Sequence, residues 1–201
     1  MIRLLTSSSP ADSGMLGHPP MALDYSETQD VITASTPPAR RPAAHRYSIT
    51  AERADLNYEE LSALYRQHYA EMKARFEKDG LRIGEYNPRL DVYYAAAEGG
   101  WLKNFVARTE TGEAVGYLNV YLTNDMHNND RIAMEDAVYI LPEHRNGLGI
   151  RIVKHALEEL RACGVKRVTI TPVTDLRVAK IWRRMGFRDV AVQMTYDFEE
   201  N

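Results

Sequence analysis

Two adjacent carboxylates, Glu135 and Asp136, precede an apolar run that stops at Pro142. A carboxylate beside an amine can take the proton that blocks the nitrogen lone pair. A lysine-like amine with a pKa near ~10.4 is neutral in only about one molecule in a few thousand at pH 7. A positioned base is therefore worth typically ~10²–10⁴-fold in rate. Neighbours on a regular strand face opposite ways, so only one of the two can enter a given site unless a bulge changes the count. The competing reading makes one or both of them edge or loop-facing acids. Shortly downstream, Glu143-His-Arg-Asn-Gly-Leu-Gly149 offers a different chemistry. Gly147 and Gly149 permit backbone angles and close approaches that a Cβ forbids. A strand that turns there into a helix leaves backbone N–H groups unpaired and aimed together, which suits a phosphate or pyrophosphate.

The elements that must hold these groups are legible around them. Ala137 to Leu141 is β-prone, and Pro142 cannot continue a ladder. Ile150, Val153, Leu157 and Leu160 recur at helical spacing and give one apolar face. The turn lacks the three glycines of the dinucleotide fingerprint and the Gly-Lys-Ser/Thr of a Walker loop. Taken alone, it serves equally well to pack a helix on a strand.

Other chemistry-bearing residues read as structural. His68 rides the apolar face of a helix near Glu71, as a satisfied interfacial histidine. Cys163, the one cysteine, precedes Gly164 at a helix end and reads as a buried thiol. Asp125, His127 and Asp130 share a polar loop without diagnostic metal spacing, and no metal site is expected. No Ser/His/Asp or Cys/His set stands out.

At 201 residues the chain can hold one sizeable domain and a tail. A net charge of -3 makes no electrostatic case for nucleic-acid binding. A single cysteine excludes an intrachain disulfide and fits a reducing compartment, so a cytoplasmic location is expected. No apolar run is long enough to span a bilayer, and no signal-peptide core follows Met1-Ile-Arg-Leu-Leu5.

Residues 1–45 are rich in Ser, Thr, Pro and Ala, with Pro19-Pro20 and Pro37-Pro38, and read as a disordered arm. Residues 46–201 read as the domain. A short strand with Tyr47 and Ile49 comes first. Asn57 and Glu60 resemble a capping box opening a long helix to Gly80. Asn87-Pro88 starts a second helix that Gly99-Gly100 ends. Two strands follow, Trp101 to Arg108 and Glu113 to Leu122, joined at Thr109-Glu-Thr-Gly112. After the strand–turn–helix come a strand from Lys166 to Thr171, a helix capped by Thr174 or Asp175 and ended by Gly186, and an alternating strand from Asp189 to Phe198. The expected order is β-α-α-β-β-β-α-β-α-β, an α/β (α+β) fold on a mixed sheet.

From about residue 46 onward the chain resembles the GCN5-related N-acetyltransferase (GNAT) family. Val138-Tyr-Ile-Leu-Pro-Glu-His-Arg-Asn-Gly-Leu-Gly149 is similar to its acetyl-CoA motif. Asp175-Leu-Arg-Val-Ala-Lys-Ile-Trp-Arg-Arg-Met-Gly-Phe187 is similar to its second signature. The resemblance extends to acetyltransferase-like proteins of tailed-phage genomes, with a host-cytoplasm location. It implies a mixed, mostly antiparallel sheet with about four helices, and acetyl-CoA as co-substrate. It places the pantetheine arm along Val138, Tyr139 and Ile140, and the pyrophosphate on the N–H groups of Arg145, Asn146, Gly147, Leu148 and Gly149, with Ile150 beside them. Arg145 could add a charge-assisted phosphate contact. Glu135 and Asp136 fall where the family often places its base, with Glu135 the first choice and Asp136 the second. The implied reaction is direct transfer to a primary amine, on a protein or a small molecule, in a ternary complex. Two departures stand out: the place of the usual Arg/Gln is held by His144, or by Arg145 with the loop one residue shorter, and Trp182 holds the place of a thiolate-protonating tyrosine. They feed the alternative of a weak or inactive protein-binding module, phage- or virion-associated.

Overall fold

Residues 46–172, 176–196 and 198 are described by a computed structural model. The expected arm at residues 1–45 and the expected cap at Thr174 or Asp175 lie outside them. The described residues fall in one compact unit. Five strands lie in the order β1 (Tyr47–Glu52), β2 (Leu102–Thr109), β3 (Ala114–Asn124), β4 (Arg131–Ile140) and β5 (Arg167–Thr169). Neighbours are antiparallel except β4 and β5, which are parallel. The helices are α1 (Ala54–Lys78), α2 (Leu90–Glu98), α3 (Leu148–Ala162) and α4 (Leu176–Arg184).

The strand alternation distributes apolar side chains to both faces of the sheet. Phe105, Leu118, Val120, Ala133 and Ile140 pack with Leu148, Ile152, Val153, Ala156 and Leu160 of α3 and with Trp182 of α4. Leu148 and Ile152 are fully buried, and each contributes roughly 1.5–3 kcal/mol by leaving water. On the other face, Val106, Tyr117 and Tyr139 meet Tyr58, Leu61, Leu64 and Tyr65 of α1. The β2–β3 hairpin closes where Gly112, at φ +87°, donates its N–H to the Thr109 carbonyl at 3.0 Å.

The structure corrects four local expectations. Helix α1 opens at Ala54, so Asn57 is no cap; it is buried inside the helix and bonded sideways to Glu52 and Asn104. Pro88 lies ahead of the first turn of α2, which begins at Leu90. Cys163 is exposed, because it sits at the C-cap of α3, past the last buried turn. Asp189 to Phe198 forms no strand among its described residues, and Val190, Val192, Met194, Tyr196 and Phe198 are each at least 80% exposed. Period-two patterning makes a strand only where a partner supplies the ladder.

Candidate active site

The centre of β4 carries a bulge. Asn119 of β3 faces Ala137 while Val120 faces Glu135, so Asp136 is the extra residue. Glu135 turns to the α3 face, beside Val153, Leu157 and Ile170. Asp136 turns to the face of α1 and α2, where it acts electrostatically on Tyr65, Tyr93, Tyr117 and Tyr121. The two acids thus serve opposite sides of the sheet.

At the same level β4 and β5 part. Their pairing is confined to Ile132–Met134 against Arg167–Thr169. Beyond it, among the described residues, the β5-side edge of β4 from Glu135 to Ile140 has no strand beside it. Glu135 spans the opening: its Oε2 accepts the Thr171 N–H at 3.1 Å. Burial pushes its carboxyl up to about 7, against the lowering pull of that N–H. Asp136 keeps an exposed outer surface, yet the crowding around its carboxyl raises its pKa, and the Asn119 amide acts in the opposite direction.

The turn after β4 is a short 3-10 helix, Pro142–His144, followed by Gly147 at φ +95° as the N-cap of α3. That left-handed φ is open to glycine at little cost. The N–H groups of Arg145, Asn146 and Ile150 are spent on the carbonyls of Pro142, His144 and Gly147. Among the described residues, those of Gly147, Leu148 and Gly149 meet no hydrogen-bond acceptor. The set of open donors is therefore narrower than the six residues expected for a pyrophosphate, and it stands at the positive end of a 15-residue helix. Leu148 anchors it in the core, fully buried.

Arg145 is engaged elsewhere than expected. Its Nε donates to the Ile140 carbonyl at 2.8 Å and its Nη2 to Glu71 Oε2 at 2.7 Å, with the guanidinium over the Tyr139 ring. Tyr139 in turn donates its hydroxyl to Glu71 Oε1 at 2.6 Å. His144 Nδ1 lies 2.9 Å from the Tyr47 hydroxyl, tying the turn to β1. Of the strand residues expected along the opening, Val138 packs partly buried toward α3, and Tyr139 and Ile140 are buried. Only their main chain is left to meet a ligand along that edge. Trp182 is buried against Phe187, and its indole is no acid. His68 is the interfacial histidine expected: its Nδ1 lies 2.7 Å from the Tyr117 hydroxyl, and its ring stacks on Tyr139. Asp125 is held by Arg167 at 2.7 Å, and no cluster of three metal-ligating side chains occurs among the described residues.

Sequence reasoning missed the buried asparagines Asn104 and Asn119. Asn119 fell in an alternating strand as one ordinary member of its face. The available signal was two amides at neighbouring positions of paired strands, which needs the register to be seen.

A parted strand pair, a bulge at the fork and open N–H groups at the start of the following helix follow one another along β4 and α3. The acetyltransferase (GNAT) family profile matches residues 61–187. The chain belongs to the GNAT family. It is accordingly an acyltransferase, in a family that uses acetyl-CoA or CoA. Among solved GNAT-like structures it is similar to the ribosomal-protein-alanine N-acetyltransferase of Brucella melitensis biovar Abortus 2308. That match has 14% identity and TM-score 0.61, and covers 78% of this chain and 100% of that one. It is similar to an aminoglycoside acetyltransferase, HMB0005, from an uncultured soil metagenomic sample, at 17% identity and TM-score 0.55 over 77% and 99% of the two chains. AAC(6')-Iy, solved with a bisubstrate analogue, CoA-S-monomethyl-acetylneamine, matches at 15% identity and TM-score 0.56 over 77% and 99%. At these identities the likeness concerns the fold. No curated protein is a significant sequence match. Among the described residues no helix is long and apolar enough to cross a membrane.

Proposed function

We propose that this GNAT protein moves an acetyl group from acetyl-CoA directly to a primary amine held on the α1/α2 side of β4. The observation that carries this reading is the fork between β4 and β5 beside the unpaired N–H groups of Gly147, Leu148 and Gly149. Those donors suit the coenzyme's pyrophosphate. The main chain of Val138 to Ile140 suits its amide-bearing pantetheine arm. The thioester supplies an activated acetyl carbon and a thiolate leaving group.

Asp136 is the proposed base. Its support is position: it faces the tyrosine-lined side with an exposed edge, whereas Glu135 is turned into the α3 face and bonded to Thr171. Asp136 takes the proton of the incoming ammonium, the neutral nitrogen attacks the acetyl carbon, and as the carbon–sulfur bond breaks the nitrogen's second proton passes to the departed thiolate or to solvent. A backbone N–H near Val138 is the proposed donor to the carbonyl oxygen. Nearby tyrosines are poor acids, since burial raises the hydroxyl pKa of Tyr139 and Tyr93 well above its usual value. The thiolate leaves without a side-chain acid, which a thiol pKa near ~8.5 allows. An acid framed by aromatic rings favours a cationic acceptor.

Glu135 is the second reading, on one observation: a carboxyl that titrates at about 7 is matched to proton transfer near neutrality. Calorimetry with CoA tests the cradle. Thiol release from acetyl-CoA over a panel of primary amines, with D136N and E135Q side by side, tests the base. The expected result is heat of binding in all three proteins and loss of turnover in D136N. Turnover retained in D136N and lost in E135Q moves the role to Glu135. Absence of CoA binding ends the proposal.

A further inference from the structure

One cross-strand row of the sheet is polar from its edge to the fork. Glu52 faces Asn104, Asn104 faces Asn119, and Asn119 faces Ala137, whose neighbour is the bulge residue Asp136. Asn104 and Asn119 are 0% and 1% exposed. Buried amides are tolerated only when bonded, and these are bonded head to tail. Asn57 Nδ2 donates to Glu52 Oε2 at 2.9 Å and to Asn104 Oδ1 at 3.0 Å. Asn104 Nδ2 donates to Asn119 Oδ1 at 2.6 Å, and Asn119 Nδ2 donates to the Tyr93 hydroxyl.

The direction of this series is set at its outer end. An ionised Glu52 can only accept, and Arg108 keeps it ionised through contacts of 2.8 Å to both oxygens. Asn57 must therefore turn its NH₂ group toward Glu52, and each later amide follows the same sense. Asn119 reaches the fork with Nδ2 foremost. There it bonds the Tyr93 hydroxyl, and from its register position beside the bulge it acts on the Asp136 carboxyl in favour of the charged form.

We propose that Asn119 is a positioning residue: its NH₂ group, aimed by the row that begins at Arg108 and Glu52, holds the Asp136 carboxylate ionised and oriented toward the acceptor. The proposal rests on the assignment of Asp136 as the base. Amides shuttle no protons here; the row supplies orientation. The titratable groups facing Asp136 are Tyr65 of α1, Tyr93 of α2, and Tyr117 and Tyr121 of β3; Glu135, next to it on β4, turns to the opposite side of the sheet and couples to it only through space. None of these is a cation, so the amide is the group among them that favours the charged form.

The test is the pH profile of kcat/KM for the most active amine in wild type, D136N, N119L and N104L. A carboxylate that loses an N–H donor titrates higher, so the acidic limb should move to higher pH in both asparagine variants. A shift of one unit appears as a roughly tenfold loss at a pH below the limb, with the alkaline plateau less affected. A role confined to core stability lowers the melting temperature and leaves the limb in place, and that result overturns the proposal. D136N inactive with unmoved limbs in N119L and N104L overturns this inference alone. D136N fully active removes the base assignment, and the inference falls with it. N119S, smaller and still polar, replaces N119L should that variant not fold.

Discussion

The Arg145 guanidinium donates to the Glu71 carboxylate at 2.7 Å, joining the turn before α3 to α1 across 74 positions of sequence. Both partners are roughly half exposed, at 46% and 42% of their side chains, so the ion pair itself is worth under about 1 kcal/mol. Its larger expected effect is on the proposed cradle, since Glu71, bonded to the turn residue Arg145, brings a negative charge toward a site proposed for an anion. E71Q keeps an oxygen for the Tyr139 hydroxyl and removes that charge. We expect it to bind CoA a few-fold more tightly at low salt, with the gain shrinking as salt rises. Calorimetry at two ionic strengths measures both effects; unchanged affinity at low salt refutes the coupling.

Two glycines predict opposite balances of folding and binding. A Cβ on Gly147 meets no atom within 4 Å, and its strain comes only from φ +95°. G147A should cost about 1–2 kcal/mol and weaken CoA binding more than tenfold as the cradle shifts. A Cβ on Gly116 would stand 2.8 Å from the Tyr139 carbonyl, with Ile140 also in the way. G116A should cost more than about 2 kcal/mol by forcing β3 from β4. Urea unfolding beside CoA titration separates the two cases.

Glu135 shapes stability against pH. Its folded pKa of about 7 lies above its ordinary 4.5, so between those values the folded state holds the proton that the unfolded chain has lost. Its contribution is present below pH 4.5 and is lost as pH rises through 7. E135Q should therefore be more stable than wild type at pH 8 by about 2 kcal/mol, with the gap closing below pH 5. Urea midpoints across that range decide it, and a gap that does not depend on pH rules the assignment out.

His68 acts in the other direction. Burial brings its imidazole down from 6.5 to about 4, so the ring folds neutral and its contribution fades as pH falls from 6.5 toward 4. In wild type this loss on acidification opposes the gain from Glu135, and the pair flattens the profile between about pH 4.5 and 6.5. H68F should unmask the Glu135 slope and lose the bond to the Tyr117 hydroxyl, at a cost of about 1 kcal/mol at pH 7. A denaturation series from pH 4 to 8 reads both effects.

The strand–turn–helix from Arg131 to Ala162 was legible because its signals are local: a β-prone run, a proline stop, two glycines and a 3.6-residue period. Of the expected inward face, Val153 and Leu160 are buried while Ile150 is only half covered and Ile152 takes the deeper place. The opposite facing of Glu135 and Asp136 follows from alternation, but which acid meets which helix does not, because the bulge depends on how β3 registers with β4. The Arg145–Glu71 pair and the asparagine row were hidden for the same reason: both join residues distant in sequence. The false strand at Asp189–Phe198 failed in the reverse direction, since its pattern is strong and no neighbour answers it among the described residues.

That last segment has a practical side. Val190, Val192, Met194, Tyr196 and Phe198 set five large apolar side chains in water within a short length of chain. Surfaces of that kind limit how far a protein can be concentrated and invite nicking by proteases. Aspartates at Val192 and Met194 should raise solubility while leaving the fork, the cradle and the melting temperature untouched.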